Sequence, residues 1–199
     1  MNEGRSSLAE VRRRAALARS RAARRCGDPG AADRLCAETG ERLFDHLDPV
    51  RLEPRWVVDF AMQCGLAGPL SERFPASRIL SCGYCPGSSG AGSSSRSRSI
   101  ATSLLALPFA AESIDLVASN LGLLWFSDPG PVLREIRRVL RPGGLTAFTT
   151  LGPGTLAELR RSWELVDDHS HIIDFIDMHD IGDAMVKAGF ADVVMDAER

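Results

Sequence analysis

A single lysine, Lys187, stands among the 24 basic residues of this chain, and the formal net charge is only −2. The arginine bias is what a GC-rich coding sequence gives and bears on no mechanism. The balanced charge leaves no basic excess to recruit nucleic acid. No apolar run approaches the roughly 20 residues that a membrane span requires. There is no recognisable secretory signal, and five cysteines, an odd number, fit reduced thiols in a cytoplasm, so a cytoplasmic location is the expectation. Cys82-Gly83-Tyr84-Cys85 has no second such pair and no suitably spaced histidines, which argues against a structural zinc site. A thioredoxin-like role is equally unsupported. Gly87 to Ser95, almost all glycine and serine, cannot supply the helix that would lower a thiol pKa.

What remains is an ordinary globular composition, 44% hydrophobic over 199 residues, enough for one domain with a sizeable core. Its most legible stretch runs from Ile114 to Thr150. Ile114-Asp115-Leu116-Val117-Ala118 reads as a buried strand. Asp128 before Pro129 is a good helix cap followed by the residue best tolerated at a helix start. Val132, Leu133, Ile136, Val139 and Leu140 then recur at helical spacing, with Arg134, Glu135, Arg137 and Arg138 opposite. Arg141-Pro142-Gly143-Gly144 stops the helix, and Leu145 to Thr149 is a second strand. Strand, crossover helix and strand predict two parallel neighbours in one sheet.

The flanks extend this pattern. Residues 1–32 are an Arg-rich segment that reads as a loosely held helix with a solvated face, and residues 33–199 read as one domain. A helix is expected over Asp33–Leu47, with Leu35, Thr39, Leu43 and Leu47 on one stripe. Arg55–Phe60 is an apolar strand, Leu66–Phe74 a short helix and Arg78–Cys82 a second strand. A Ser/Gly-rich tract at 87–99 stands where a third crossover helix would be needed, and Ser99–Ser103 can form a strand after it. Thr155 is expected to cap a helix whose inner face is Leu156, Leu159, Trp163 and Val166. His169, His171 and His179 with the neighbouring aspartates match no standard metal spacing, and Asp177 reads instead as the cap of a helix closed by Gly189. Val193-Val194-Met195 is expected to start a last strand.

The strand Asp115-Leu116-Val117, the helix ending Arg-Val-Leu-Arg-Pro-Gly-Gly, the segment FTTLGPGTLAELRRSW and the run DMHDIGDAMVKAGF resemble class I S-adenosylmethionine-dependent methyltransferases. The last two narrow the likeness to the malonyl-acyl-carrier-protein O-methyltransferases of biotin synthesis. The resemblance covers about Leu35 to Asp196 and is strongest from Leu107 onward. It implies an α/β, Rossmann-like sheet with helices on both faces, here stopping before the family's C-terminal strand hairpin. It also implies S-adenosylmethionine as cofactor and an acyl-carrier protein or malonyl thioester as partner.

Residue by residue, the family's cofactor loop falls on Asp59, Ala61, Gln63 and Gly65. Asp59 and Gly65 keep the pattern, whereas Ala61 and Gln63 replace two glycines. A side chain at a positive-φ position costs roughly 1–2 kcal/mol. The acidic residue that holds the ribose hydroxyls becomes Gly83, and the one that holds the adenine amino group becomes Ser103, with Leu104 beside it. Asn120 corresponds to a residue lining the cofactor. Trp125 corresponds to the pocket wall, core packing being its plainer reading. Thr149, Thr150 and His171 are candidates for substrate contact. These departures imply weak cofactor binding. They leave open a second reading, a non-catalytic relative with a decayed cofactor site that serves in binding or assembly or persists as a remnant. The fifth strand, with no Lys, Pro or charge, presents an open edge suited to self-association.

Overall fold

The computed structural model describes residues 30–60, 64–83, 97–167 and 169–198; of residues 30–33 and 97 it describes the backbone only. The Arg-rich segment up to residue 29, Ala61, Gln63 and the tract from Tyr84 to Arg96, with the missing crossover helix expected there, lie outside the described residues. Elements follow the order α1 (Gly30–Leu47), β1 (Trp56–Phe60), α2 (Ala67–Arg73), β2 (Arg78–Gly83), β3 (Ser97–Ala101) and β4 (Ile114–Asn120). After a 3-10 turn (Gly122–Trp125) come α3 (Gly130–Val139), β5 (Leu140–Thr149), α4 (Ala157–Glu164) and α5 (Met178–Ala188). The five strands form one parallel sheet in the order β3-β2-β1-β4-β5.

Alternation along the central strands divides the core into two layers. Val58, Phe60 and Val117 face Val132, Leu133, Ile136 and Val139 of α3 and Met185 of α5. Val57, Ile79, Leu116 and Ala118 face Leu43 and Leu47 of α1 and Ala67 and Leu70 of α2. All seven residues of β4 are buried, as a strand covered on both faces requires. Each aliphatic side chain fully removed from water stabilises the fold by about 1.5–3 kcal/mol.

The expected strand–helix–strand unit is present, with Leu116 opposite Leu145 and Asn120 opposite Thr149. The cap position of α3 falls on Pro129, one residue later than expected, and Asp128 just before it accepts from the Gly130 N–H through Oδ1 at 2.9 Å. β5 begins earlier than expected, at Leu140, directly after the helix. Arg141 to Gly144 form an irregularity within the strand, where Gly143 adopts φ +75°. The charged face of α3 does more than meet water. Glu135 accepts from the Leu107 N–H at 2.7 Å, and Arg138 donates to the carbonyls of Leu107 and Phe109, which fixes the Leu-Pro-Phe turn. The Arg138 guanidinium first, and the Leu107 N–H after it, hold the Glu135 carboxyl below the usual range.

Several expectations are corrected. β3 spans Ser97–Ala101 rather than 99–103, because Gly83 pairs with Ala101, so the last three residues assigned to the Ser/Gly tract belong to the strand. Ser103 therefore falls in a turn closed against Ala106. Leu156, not Thr155, precedes α4, with φ +58° and no side-chain cap. The intended inner face of that helix is outward: Leu156, Leu159, Trp163 and Val166 are 38–67% exposed. The helix leans instead on the segment after it, Arg160 bonding Asp174 and the Ile173 carbonyl. Residues 193–198 form no strand. Met195 folds against Gly182, and Glu198 pairs with Arg42 and His46 of α1, so this segment crosses to α1 instead of running beside β5. Leu35 is 44% exposed, which confines the buried stripe of α1 to its second half. The cysteines expected to be reduced include a disulfide, Cys36–Cys64, with Cα atoms 5.3 Å apart. Asp177 does cap α5, accepting from the His179 N–H at 2.8 Å, and Gly189 ends it at φ +92°.

Asp115 fastens the start of β1 to β4. Its side chain is buried at 5% exposure, accepts from the N–H groups of Arg55 and Trp56 at 2.7 Å each, and pairs with Arg141. Asp115→Ala strands two donors and one cation, and should lower the free energy of unfolding by about 3 kcal/mol in a urea titration. A loss within a few tenths of a kcal/mol would mean that water replaces the carboxylate without cost.

Candidate functional site

Ligands of open α/β sheets bind outside the carboxyl ends of the strands, and there the sequence places Asp59, Gly65, Gly83, Asn120 and Thr149. Asp59 is the next-to-last residue of β1, beside Ala118 and Ser81. It has no exposed surface. The Ser81 hydroxyl donates to its Oδ2 at 2.9 Å, while Oδ1 has no hydrogen-bond partner. Burial pushes the carboxyl up to about 6; the Leu66 N–H, the Ser81 hydroxyl and the Ala67 N–H work the other way without overcoming it. The nearby Cys82 thiol is raised to about 12, by burial first and by Asp59 second, which leaves it inert as a nucleophile.

Asn120 is 2% exposed, but both ends of its amide are bonded. Its Oδ1 accepts from the hydroxyls of Thr39 at 2.8 Å and Thr149 at 2.6 Å, and its Nδ2 donates to the Cys36 carbonyl at 2.7 Å. The backbone of Cys64 forms a bridge with Asn120. α1 and Cys64 thus meet at the end of β4, joined by the disulfide. Thr149 also accepts from the Leu121 N–H at 3.1 Å. Beside them the backbone turns sharply at Gly122, where a Cβ would meet the Ser119 hydroxyl and lie 3.0 Å from the Phe60 carbonyl.

The other candidates separate. Gly83 ends β2, buried and without a carboxylate, its carbonyl accepting from the Thr102 N–H at 3.1 Å. Leu104 has no exposed surface and belongs to the first core layer, and Trp125 packs partly buried against the same layer. Thr150 lies half-buried just beyond β5. His171 is elsewhere, stacked on Trp163 with ring centroids 4.1 Å apart and paired with Asp167 at 2.8 Å. The two rings help to line a cleft of about 290 Å³ with Arg160 and Asp167, and it shares no residue with the carboxyl edge. Ala61 and Gln63 lie outside the described residues.

Four residues of this edge escaped sequence reasoning. Ser81 stands opposite Asp59 in register, a placement that only strand pairing reveals. Thr39 interrupts the apolar stripe of α1, and a polar residue at such a position is the one local hint of a buried partner. Cys36 and Cys64 carried no signal of pairing.

The edge fits a cationic, amine-bearing ligand in one respect. The unpartnered buried oxygen of Asp59 lacks a donor, and an ammonium group would supply both the donor and the charge.

A family model described as a methyltransferase domain matches residues 64–148. The malonyl-[acyl-carrier protein] O-methyltransferase of Gallionella capsiferriformans is 39% identical over 179 residues, covering 82% of this chain and 61% of the relative. Malonyl-[acyl-carrier protein] O-methyltransferase 1 of Coxiella burnetii is 42% identical over 160 residues, covering 80% of this chain and 55% of the relative. The chain thus spans between 55% and 61% of the length of these two curated relatives. Among solved structures, a methyltransferase of Thermotoga maritima matches with a TM-score of 0.60 at 18% identity, covering 79% of this chain and 74% of that one. A Mesorhizobium loti methyltransferase matches with a TM-score of 0.57 at 19% identity, covering 74% and 80%. These likenesses show the fold, and the sequence relatives place it. Residues 64–148 thus match a methyltransferase domain, and over 80–82% of its length the chain is similar to malonyl-[acyl-carrier protein] O-methyltransferases.

Proposed function

We propose that this chain transfers a methyl group from S-adenosylmethionine to the free carboxyl of a malonyl thioester on an acyl-carrier protein, in the cytoplasm. The observation that carries the reading is the unpartnered, buried Oδ1 of Asp59 at the carboxyl edge of a sheet related in sequence to enzymes of that name. When bound, S-adenosylmethionine supplies an electrophilic methyl group on a sulfonium. Asp59 favours the ligand's ammonium group, and Gly65 lets the backbone approach closely. Asn120 and Thr149 border the same space. Ala61, Gln63, Gly83 and Ser103 occupy the remaining cofactor positions, and Leu104 supports them from within the core. A malonyl carboxylate is already ionised at pH 7, so no side chain needs to act as a base. The work of Trp125, Thr149 and Thr150 is then to position it, whereas His171 lies in the separate cleft beside Trp163 and has no part in this step.

The fold kept with the cofactor site lost is the less favoured reading, and it rests on the missing carboxylate at Gly83. The division into an Arg-rich segment, 1–32, and one domain, 33–199, belongs to the proposal as well. So does self-association, since β5 ends the sheet and among the described residues no strand pairs with its outer edge.

With four cofactor positions altered, the reduced chain should bind S-adenosylmethionine with a dissociation constant at or above roughly 1 mM, about −4 kcal/mol. A micromolar constant by titration calorimetry would remove the decayed-site reading altogether. Ala61→Gly with Gln63→Gly and Gly83→Asp should bind more tightly than any of the three alone, because glycine relieves the loop and the carboxylate pairs with the ribose hydroxyls. A triple variant no better than its parent would locate the defect outside these positions.

Asp59 should also leave a mark on stability. Its native pKa of about 6 lies above the ordinary 3.8, so the folded state holds the proton more tightly. Stability from this group is complete below pH 3.8 and is lost as pH rises through 6, by an amount on the order of 3 kcal/mol. In Asp59→Asn that decline should flatten in urea titrations across the window. An unchanged slope would assign the pH dependence to other groups.

Concentration-dependent light scattering tests the open edge of β5. Growth of mass with concentration is expected, and a monomer across the whole series would contradict it.

A further inference from the structure

The cover over the carboxyl edge is fastened unevenly. The second half of α1 is anchored by apolar burial, Leu43 and Leu47 lying in the second core layer. Among the described side chains of the first half there is no such anchor, Leu35 being 44% exposed. It is held by the bonds of Thr39 and the Cys36 carbonyl to Asn120 and by the disulfide from Cys36 to Cys64. Between the halves lies Gly40, where a Cβ would stand 3.3 Å from Asn120 Nδ2 and from Leu66 Cδ2. Glycine permits this close approach and weakens the helix at the same point. Cys64 is 8% exposed and stands next to Gly65 of the cofactor loop. Beneath the cover, Asn120 is 2% exposed, its side chain bonded to Thr39 and to the Cys36 carbonyl. A ligand reaches that side chain only when this part of α1 moves.

We propose that Cys36–Cys64 is a reversible redox latch: oxidised, it holds the first half of α1 closed over the carboxyl edge at Asn120; reduced, it lets that half open. The gating role rests on the methyltransferase reading above, whereas the latch itself does not. With glutathione disulfide as oxidant, the Cys36 thiolate attacks one sulfur and releases one glutathione thiolate. The Cys64 thiolate then attacks Cys36 Sγ, forming the protein disulfide and expelling the second glutathione. Two electrons pass from the protein thiols to the oxidant, and the two thiol protons end on the two glutathiones. Excess reduced glutathione or a dithiol runs the exchange backwards.

Hydrogen exchange on the full chain, oxidised with glutathione disulfide or reduced with a dithiol, tests this. Mass mapping should find a peptide linking Cys36 to Cys64 only in the oxidised sample. On reduction, amides 34–40 should exchange about ten-fold faster or more, because local opening sets that rate, while those around Leu43 and Leu47 stay protected. Cys36→Ser, and independently Cys64→Ser, should show the reduced pattern in both buffers. Absence of the linked peptide after oxidation, or equal exchange in the two states, overturns the latch. Titration with S-adenosylmethionine then separates the two proposals. Affinity at least about ten-fold higher in the reduced form supports gating, and equal affinity refutes it. Binding in neither form refutes the methyltransferase reading, with exchange alone judging the latch.

Discussion

Every residue of β4 is buried, and the rest of the molecule follows from that constraint. A strand buried on both faces and paired on both edges needs a helix layer above, another below, and a parallel neighbour on each side. α3 and α5 supply one layer and α1 and α2 the other, while β1 and β5 supply the neighbours. Polar groups are tolerated along β4 only where the neighbours complete their bonds. Asp115 is met by two backbone N–H groups at the start of β1, Ser119 by the Phe60 carbonyl, and Asn120 by α1 and β5. The strand therefore carries the registration of the sheet at one end and the floor of the candidate site at the other.

At that floor, satisfaction and deficiency sit side by side. Asn120 spends its bonding capacity on Thr39, Thr149 and the Cys36 carbonyl, and so belongs to the cover as much as to a binding surface. Asp59 keeps one oxygen unmet, a cost that native interiors rarely carry without a reason in function. A raised pKa is the physical sign of the same deficiency: burial outweighs the donors that face the carboxyl, so its charge is only partly compensated. An ammonium-bearing ligand would reverse both at once.

The strand–helix–strand unit from Ile114 to Thr149 was legible because its signals are local: a short apolar run, Asp before Pro, a helical period of aliphatics and a Pro-Gly-Gly stop. Asp177 and Gly189 were legible for the same reason. Misreadings came where distant contacts decide. The apolar face of α4 reads as a core face, yet no sheet surface lies against it. Val193 to Met195 has strand composition, but Met195 is drawn to Gly182 and the residues after it to α1. β3 starts two residues early because its register with β2 outweighs the poor strand propensity of serine. At the site, Asp59 and Gly65 were found through their loop pattern. Ser81 and the Cys36–Cys64 pair depend on separations of 22 and 28 residues that no local pattern encodes.

The central claim is that the carboxyl edge around Asp59 is where this chain meets S-adenosylmethionine. Amide chemical-shift mapping of the reduced chain during titration with that ligand tests it most directly. The account predicts shifts at Gly65, Asn120, Leu121 and Thr149, lost together in Asp59→Asn. Shifts confined to the cleft of Trp163 and His171, or none at saturating ligand, would contradict it.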